Sequence, residues 1–416
     1  MEWYVVMIAA SSWSRMALAI SPFLLVAALG ILLRVFCFEP VLGQGFDEQI
    51  YSAYVDELGA TGPQSASYPE IVRRYLKQQT DYPIALLPPT RVSFILAAAA
   101  WRGCFGGPAI ESVRAISCAA SILVLLLSCA FAWRLRGPAF ALAILALMAV
   151  APTQIYMAHR ALIDGFFALI TLLTLWSLWE VLQQARPTRL GLGLYGVGLV
   201  LLILTKENAA FVYVAILGLL VMNRWFGLGH VSKSLLATTL VAPVVGVGLL
   251  ALFAGGIEPL ITVFSLNAAK SIQTPYAITT GDGPWFRYLS DLLLVSPAVV
   301  LFAIGGAFVL ERRDKPGWFL LGFVVFSYVV MCNLRYGMNL RYANMWDFPL
   351  RYLALVPVFT WAHSIHGNGK RRLLVVGIVT LLAIFELANY LRIFVAHDVY
   401  DPIPARLLQA LDILKS

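Results

Sequence analysis

Long apolar stretches separated by short polar ones dominate this chain. They cover roughly residues 16–37, 113–133, 138–156, 164–183, 190–205, 208–223, 234–254, 291–310, 316–333, 347–365 and 373–393. They are apolar all round rather than striped, and a run of about 20 such residues can cross a ~30 Å hydrocarbon core as a helix. Strands of a closed barrel would alternate with period two, and these runs do not. The pattern predicts an all-α polytopic membrane protein, a single domain over residues 1–416, with about eleven transmembrane helices. A further stretch, 84–101, carries Pro88, Pro89 and Arg91 near its start and has only about ten clean apolar residues. The first long loop, 38–112, is not formless. Phe46, Ile50, Tyr54 and Leu58 recur every four residues, and Ile71, Val72, Tyr75 and Leu76 make a second stripe. Both predict amphipathic helices lying on the membrane, joined by a turn-rich linker from Gly59 to Pro69. A second long loop covers 255–290, and no repeat of 20–50 residues is visible.

Composition agrees with the pattern. The chain is 60% hydrophobic and only 12% charged, about half the charge of a soluble domain. The net charge of +8 could suggest nucleic acid, but its distribution argues against that. Arg134 and Arg136, Arg186 and Arg189, Arg224 and Lys233, Arg312, Arg313 and Lys315, and Lys370, Arg371 and Arg372 all sit in short loops. With a cytoplasmic N-terminus and 84–101 not crossing, every one of these loops is cytoplasmic, as the positive-inside rule asks. If 84–101 crossed, all later loops would flip. It is therefore placed on the outer surface as an interfacial or re-entrant helix. Arg15 followed by the apolar run from Met16, with no clear cleavage site, predicts an uncleaved signal anchor. Of the five cysteines, none forms a CxxC pair or a zinc-type cluster, and Cys37 and Cys104 could meet on one face as a disulfide.

This topology puts the candidate chemistry on the outer side. Asp47 and Glu48 open the first amphipathic helix. They can favour its N-terminus electrostatically, or present a carboxylate that takes a proton or binds a metal. His159, Arg160 and Asp164 lie at a helix boundary, and on a helix Arg160 and Asp164 would share a face and could pair. Lys206 and Glu207 interrupt an apolar stretch. An outer-side lysine suits a lipid-linked phosphate, unless it pairs with Glu207 or an Asp. Arg335, Arg341 and Arg351 precede Tyr336, Tyr342 and Tyr352, with Asp347 between them and Trp346 suited to an interface belt. Guanidinium groups bind phosphate bidentately, and aromatic rings stack on sugars or prenyl chains.

The order of these motifs resembles the GT-C membrane glycosyltransferases, in particular the branch of protein O-mannosyltransferases and the lipid A aminoarabinose transferase. The resemblance rests on Phe46-Asp47-Glu48 after the first span, Pro88-Pro89, Arg160 to Asp164, Leu204-Thr205-Lys206, and Arg351-Tyr352-Leu353 with Pro357, over roughly residues 15–360. It implies a GT-C-like helical bundle and a polyprenyl- or dolichyl-phosphate sugar donor. The acceptor would be a lipid, glycan or protein, and transfer would invert the anomeric centre. Carried over, Asp47 is the base and Glu48 its neighbour. Lys206 and one or more of Arg341 and Arg351 are the donor-phosphate candidates, and by position His159, Arg160, Asp164, Glu207, Tyr342 and Tyr352 form a supporting polar cluster. No cofactor is required, and a divalent metal near Asp47 and Glu48 is compatible. Leu87-Pro88-Pro89 replaces the family's His-Pro-Pro form, and the chain stops without the extra domains of eukaryotic and aminoarabinose enzymes. Both departures leave the acceptor open, and the second points to a compact enzyme of bacterial or archaeal type. The expected location is a bacterial plasma membrane, with the site facing the periplasm or exterior. The readings set against this one are a transporter or lipid flippase, and a non-catalytic partner in glycan assembly. A transporter would place its charges near the midplane in two matching halves.

Overall fold

The computed structural model describes residues 20–36, 45–59, 66–81, 87–273, 283–334 and 338–414. Among these residues every regular element is helical. Cys37, Arg335 and Tyr336 lie outside them, and so do the disulfide reading for Cys37 and the first of the three Arg-Tyr pairs. In chain order the helices are α1 (Ile20–Val35), α2 (Phe46–Gly59), α3 (Tyr68–Asp81), α4 (Val92–Phe105), α5 (Ala109–Arg136), α6 (Pro138–Ala149), α7 (Pro152–His159), α8 (Asp164–Leu182), α9 (Arg189–Thr205), α10 (Ala209–Phe226) and α11 (Lys233–Ala254). They continue as α12 (Ile257–Gln273), α13 (Arg287–Val295), α14 (Pro297–Val309), α15 (Lys315–Asn333), α16 (Asp347–Ser364), α17 (Asn368–Tyr390) and α18 (Pro404–Ala410). Six helices are long and apolar enough to cross a membrane, and a seventh span arises if α6 and α7 count as one. α1, α9 and α14 are shorter apolar helices, so helix length alone does not establish eleven spans.

Proline explains where the expected spans break. Pro152 cannot donate to the preceding turn, and the stretch expected at 138–156 is two helices, α6 and α7, bent by 54°. Pro297 does the same to 291–310, which divides into α13 and α14 at Ser296. The break after α6 strands backbone carbonyls in the interior, and two arginines take them up. Arg34 of α1 donates to Met148 O (2.9 Å), Ala149 O (3.1 Å) and its own Gly30 O (2.8 Å). Arg351 donates to Leu147 O at 3.3 Å. Cations at a helix C-terminus are favourable for the same reason that the carbonyls need them. At the far end, α17 passes into a π-helical turn, Leu391–Ala396.

The bundle packs closely where glycines allow it. A Cβ on Gly306 would lie 2.0 Å from the Leu353 carbonyl oxygen, so α14 and α16 touch backbone to backbone. Such small-residue contacts are how helices associate in lipid. The helices within the first loop, α2, α3 and α4, pack onto one end of the bundle. In α2 the buried face is Glu48, Tyr51, Tyr54 and Val55, while Phe46 is exposed, so the stripe read from the sequence is rotated. In α3, Ile71, Val72 and Tyr75 are buried as expected. A capping box starts α3. Ser67 N–H donates to Glu70 Oε2 at 2.8 Å, and that donation holds the Glu70 carboxyl below its usual range. α4 has 14 residues, about 21 Å, which is short of the ~30 Å core. It packs on α2, α5 and α9. Trp346, expected at an interface, is instead fully buried and donates to Ser327 Oγ.

Candidate active site

Side chains from six stretches meet at one end of the bundle. The first is the start of α2. Glu48 is fully buried, and its two oxygens are both occupied. Oε2 accepts from Gly45 N–H, which caps the start of α2, and Oε1 accepts from Ala161 N–H, both at 2.7 Å. Glu48 thus ties the helix start to the α7–α8 linker. Its neighbour Asp47 faces the other way and keeps 23% of its side chain exposed. Asp47 Oδ2 accepts from Arg341 Nη2 at 3.0 Å. A metal at this pair would have to displace two backbone amides from Glu48 and a guanidinium from Asp47, so no step is routed through one. Among the described residues, no group of three His, Cys, Asp or Glu side chains gathers at metal-binding distances.

The α7–α8 linker holds the next residues. The chain leaves the helix at Arg160 (φ −108°, ψ 147°) and re-enters it at Asp164. The expected pairing of Arg160 with Asp164 therefore does not form. Asp164 instead accepts from Lys206 Nζ at 2.6 Å, and both side chains are buried. Lys206 does find an Asp, as one reading of the sequence allowed, and its ammonium also lies 3.9 Å from the Tyr342 ring centroid. Burial draws the Lys206 ammonium below its usual pKa, and Asp164 works against that draw. Glu207 pairs with Arg91 at 2.7 Å. Arg91 also donates to the Tyr51 hydroxyl. The Pro88-Pro89 corner that delivers Arg91 is fixed by two tyrosines: Tyr54 donates to Leu87 O and Tyr68 to Pro89 O, each at 2.6 Å. His159 sits behind the site, with Nε2 2.9 Å from Leu33 O and Nδ1 3.3 Å from the Tyr390 hydroxyl.

Arg351 is not brought to this cluster. It is buried deeper, donates to Asp347 at 2.8 Å and pairs with Glu386. Its network continues through Thr153 and Gln154, which donate to Asp347 at 2.7 and 2.9 Å. Tyr352 points away again, toward Arg136, which also holds Asp314.

Sequence reasoning missed the turn after α17. Asp398 accepts from Arg160 at 3.0 Å. Asp401 lies 3.5 Å from Arg341 Nη2 and accepts from Asn339 at 3.0 Å. The Tyr400 ring stands 5.1 Å from the Arg160 guanidinium and 5.9 Å from that of Arg341. Burial pushes the Tyr400 phenol well up. Two acids and a tyrosine within four residues, after the last apolar run, were a signal of the same kind as Asp47-Glu48. Arg91 was another, visible as a lone arginine at the start of an apolar stretch.

Residues 104–257 match the family model described as dolichyl-phosphate-mannose-protein mannosyltransferase. Among solved structures, the fold is similar to ArnT from Cupriavidus metallidurans bound to undecaprenyl phosphate, with TM-score 0.53 and 15% identity over 83% of this chain and 74% of that one. It is also similar to the archaeal oligosaccharyltransferase AglB from Archaeoglobus fulgidus, in complex with an inhibitory peptide and a dolichol-phosphate. That match has TM-score 0.57 and 16% identity, and covers 94% of this chain and 57% of AglB. A search of curated proteins finds no match. Together with the apolar helices these matches show an integral, multi-pass membrane protein with a fold similar to that of ArnT and AglB, part of which resembles a mannosyltransferase model.

Proposed function

We propose that the chain moves a sugar from a polyprenyl- or dolichyl-phosphate donor to a hydroxyl or amine acceptor on the outer side of the membrane, with inversion. The carrying observation is the meeting of Asp47, Arg341, Lys206 and Arg91 at one end of the bundle, drawn from stretches far apart in sequence. The lipid phosphates named with ArnT and AglB support the donor class. In this reading the acceptor oxygen or nitrogen attacks C1 of the sugar as the bond from C1 to the phosphate oxygen breaks. The bonding electrons leave on the phosphate, and the acceptor's proton goes to Asp47. Arg341 and Lys206 neutralise the phosphate charge as it develops. Glu48 holds the start of α2 so that Asp47 is aimed, and Asp164 holds Lys206. Arg351, with Asp347 and Glu386, props the broken α6–α7 span rather than touching the donor. The bilayer concerned is taken as a bacterial plasma membrane, its site facing out, on the charge bias of the loops.

Binding of undecaprenyl phosphate to the purified chain in lipid nanodiscs tests the donor site. Wild type should bind it, and Arg341→Gln should bind about 10-fold or more weakly, as expected when a charge-assisted contact is lost. Equal binding by both proteins would remove Arg341 from the phosphate site.

A further inference from the structure

Arg341 is buried, yet its guanidinium is only partly used. Nη2 serves Asp47 at 3.0 Å and lies 3.5 Å from Asp401 Oδ1. Nε and Nη1 are buried with no hydrogen-bond partner among the described residues. Buried N–H groups left idle are costly, and oxygens of an anionic ligand are the partners that suit a guanidinium best.

The turn that carries Asp401 is held firmly. Asn339 donates to Asp401, Arg160 to Asp398, and Val399 N–H to Ile393 O at 3.3 Å. The Tyr156 hydroxyl donates to the Tyr400 carbonyl. Asp398 sits at φ +44°, a conformation that side-chain-bearing residues rarely adopt. Strain of this kind persists where surrounding contacts over-determine the backbone, and it clusters at functional sites. Tyr400 also closes over the start of α2, since a Cβ on Gly45 would fall 2.0 Å from its ring. One short turn therefore reaches Arg160, Arg341 and the backbone beside Asp47.

We propose that Asp401 is a positioning residue of this active site: it anchors Arg341 beside Asp47 and takes a share of the guanidinium's charge, while Nε and Nη1 stay open to the donor phosphate. The proposal rests on the reading of Asp47 as base and Arg341 as phosphate holder. Without Asp401 the guanidinium has Asp47 as its one carboxylate partner and is drawn onto it, which turns Asp47 from the acceptor. Asp401→Asn keeps an oxygen for Asn339 and loses only the charge.

The experiment uses the full chain in nanodiscs and compares wild type, Asp401→Asn, Asp401→Glu and Asp47→Asn. Turnover of a polyprenyl-phosphate sugar, binding of undecaprenyl phosphate and thermal unfolding are measured on each. For Asp401→Asn, kcat should fall about 10-fold, a fraction of what a positioned acid–base group supplies. Undecaprenyl phosphate should bind at least as tightly as to wild type, the unfolding temperature should hold, and Asp401→Glu should recover much of kcat. Wild-type kcat in Asp401→Asn overturns the proposal. So does a joint loss of binding and thermal stability, which would mark a merely structural contact. An Asp47→Asn protein that turns over at the wild-type rate overturns the underlying base reading, and this proposal with it. An inactive Asp47→Asn beside a fully active Asp401→Asn overturns this proposal alone.

Discussion

Asp47 and Arg341 are separated by 294 positions in the chain and by 3.0 Å in space. The types of both residues were legible in the sequence, because an acid beside the first span and arginines on the side that should lack them both ask for a reason. Their partners were not legible, since pairing over such distances is set by the whole bundle. Lys206 and Asp164 show what a buried pair demands. Lys206→Met leaves Asp164 buried without its cation, and thermal unfolding in detergent should register a loss of about 3–5 kcal/mol. A Lys206→Met/Asp164→Leu pair should recover most of that stability while remaining inactive. Glu48 is a different case. Glu48→Gln retains one acceptor oxygen but turns an amide donor toward a backbone N–H. The expected cost is about 1–3 kcal/mol, with turnover falling more steeply than stability because Asp47 loses its footing. Equal activity with reduced stability would separate Glu48 from the chemistry.

At the scale of elements, the apolar runs announced the helices, and the prolines announced the breaks that a run-length reading passes over. Pro152 and Pro297 both sit inside stretches taken as continuous spans. The carbonyls freed at Pro152 account for Arg34, a buried arginine in the first apolar helix. Arg34→Leu should destabilise the chain markedly, and Arg34→Lys should restore part of the loss, since an ammonium can still donate to Met148 O and Ala149 O. Equal unfolding temperatures for Arg34→Leu and wild type would contradict the capping role. The α14–α16 contact makes a sharper demand. Gly306→Ala puts a methyl against the Leu353 backbone, which does not yield like a side chain. The helices must part, at about 1–3 kcal/mol, again read as a lower unfolding temperature. The rotated face of α2 had a local cause that the stripe could not show: Glu48 turns inward to meet Ala161 N–H, and the apolar residues follow it.

At the scale of the whole molecule, two chemically different ends emerge. One gathers Asp47, Arg91, Arg160, Lys206, Arg341 and Asp401. The other carries Arg134 with Glu180 and Arg136 with Asp314. The loop charges alone foretold this separation, although they could not say that the chain after α17 would fold back as a wall of the first end. Single cysteines at Arg73 and Arg313, in a chain whose native cysteines are replaced, test the orientation. A membrane-impermeant maleimide added to intact cells should label Arg73→Cys, and should reach Arg313→Cys only after permeabilisation. The reverse pattern would turn the active site to the cytoplasm.

Transfer from a lipid-linked phosphate sugar, with Asp47 as base, is the chemistry proposed for this site. It is tested most directly by offering a panel of polyprenyl-phosphate sugars, with mixed acceptors, to purified wild type and Asp47→Asn in lipid. One donor should be consumed by wild type. Asp47→Asn should bind that donor but turn it over at least about 100-fold more slowly. Turnover by Asp47→Asn at the wild-type rate would contradict the base assignment, and a wild type that consumes no donor in the panel would contradict the transferase reading itself.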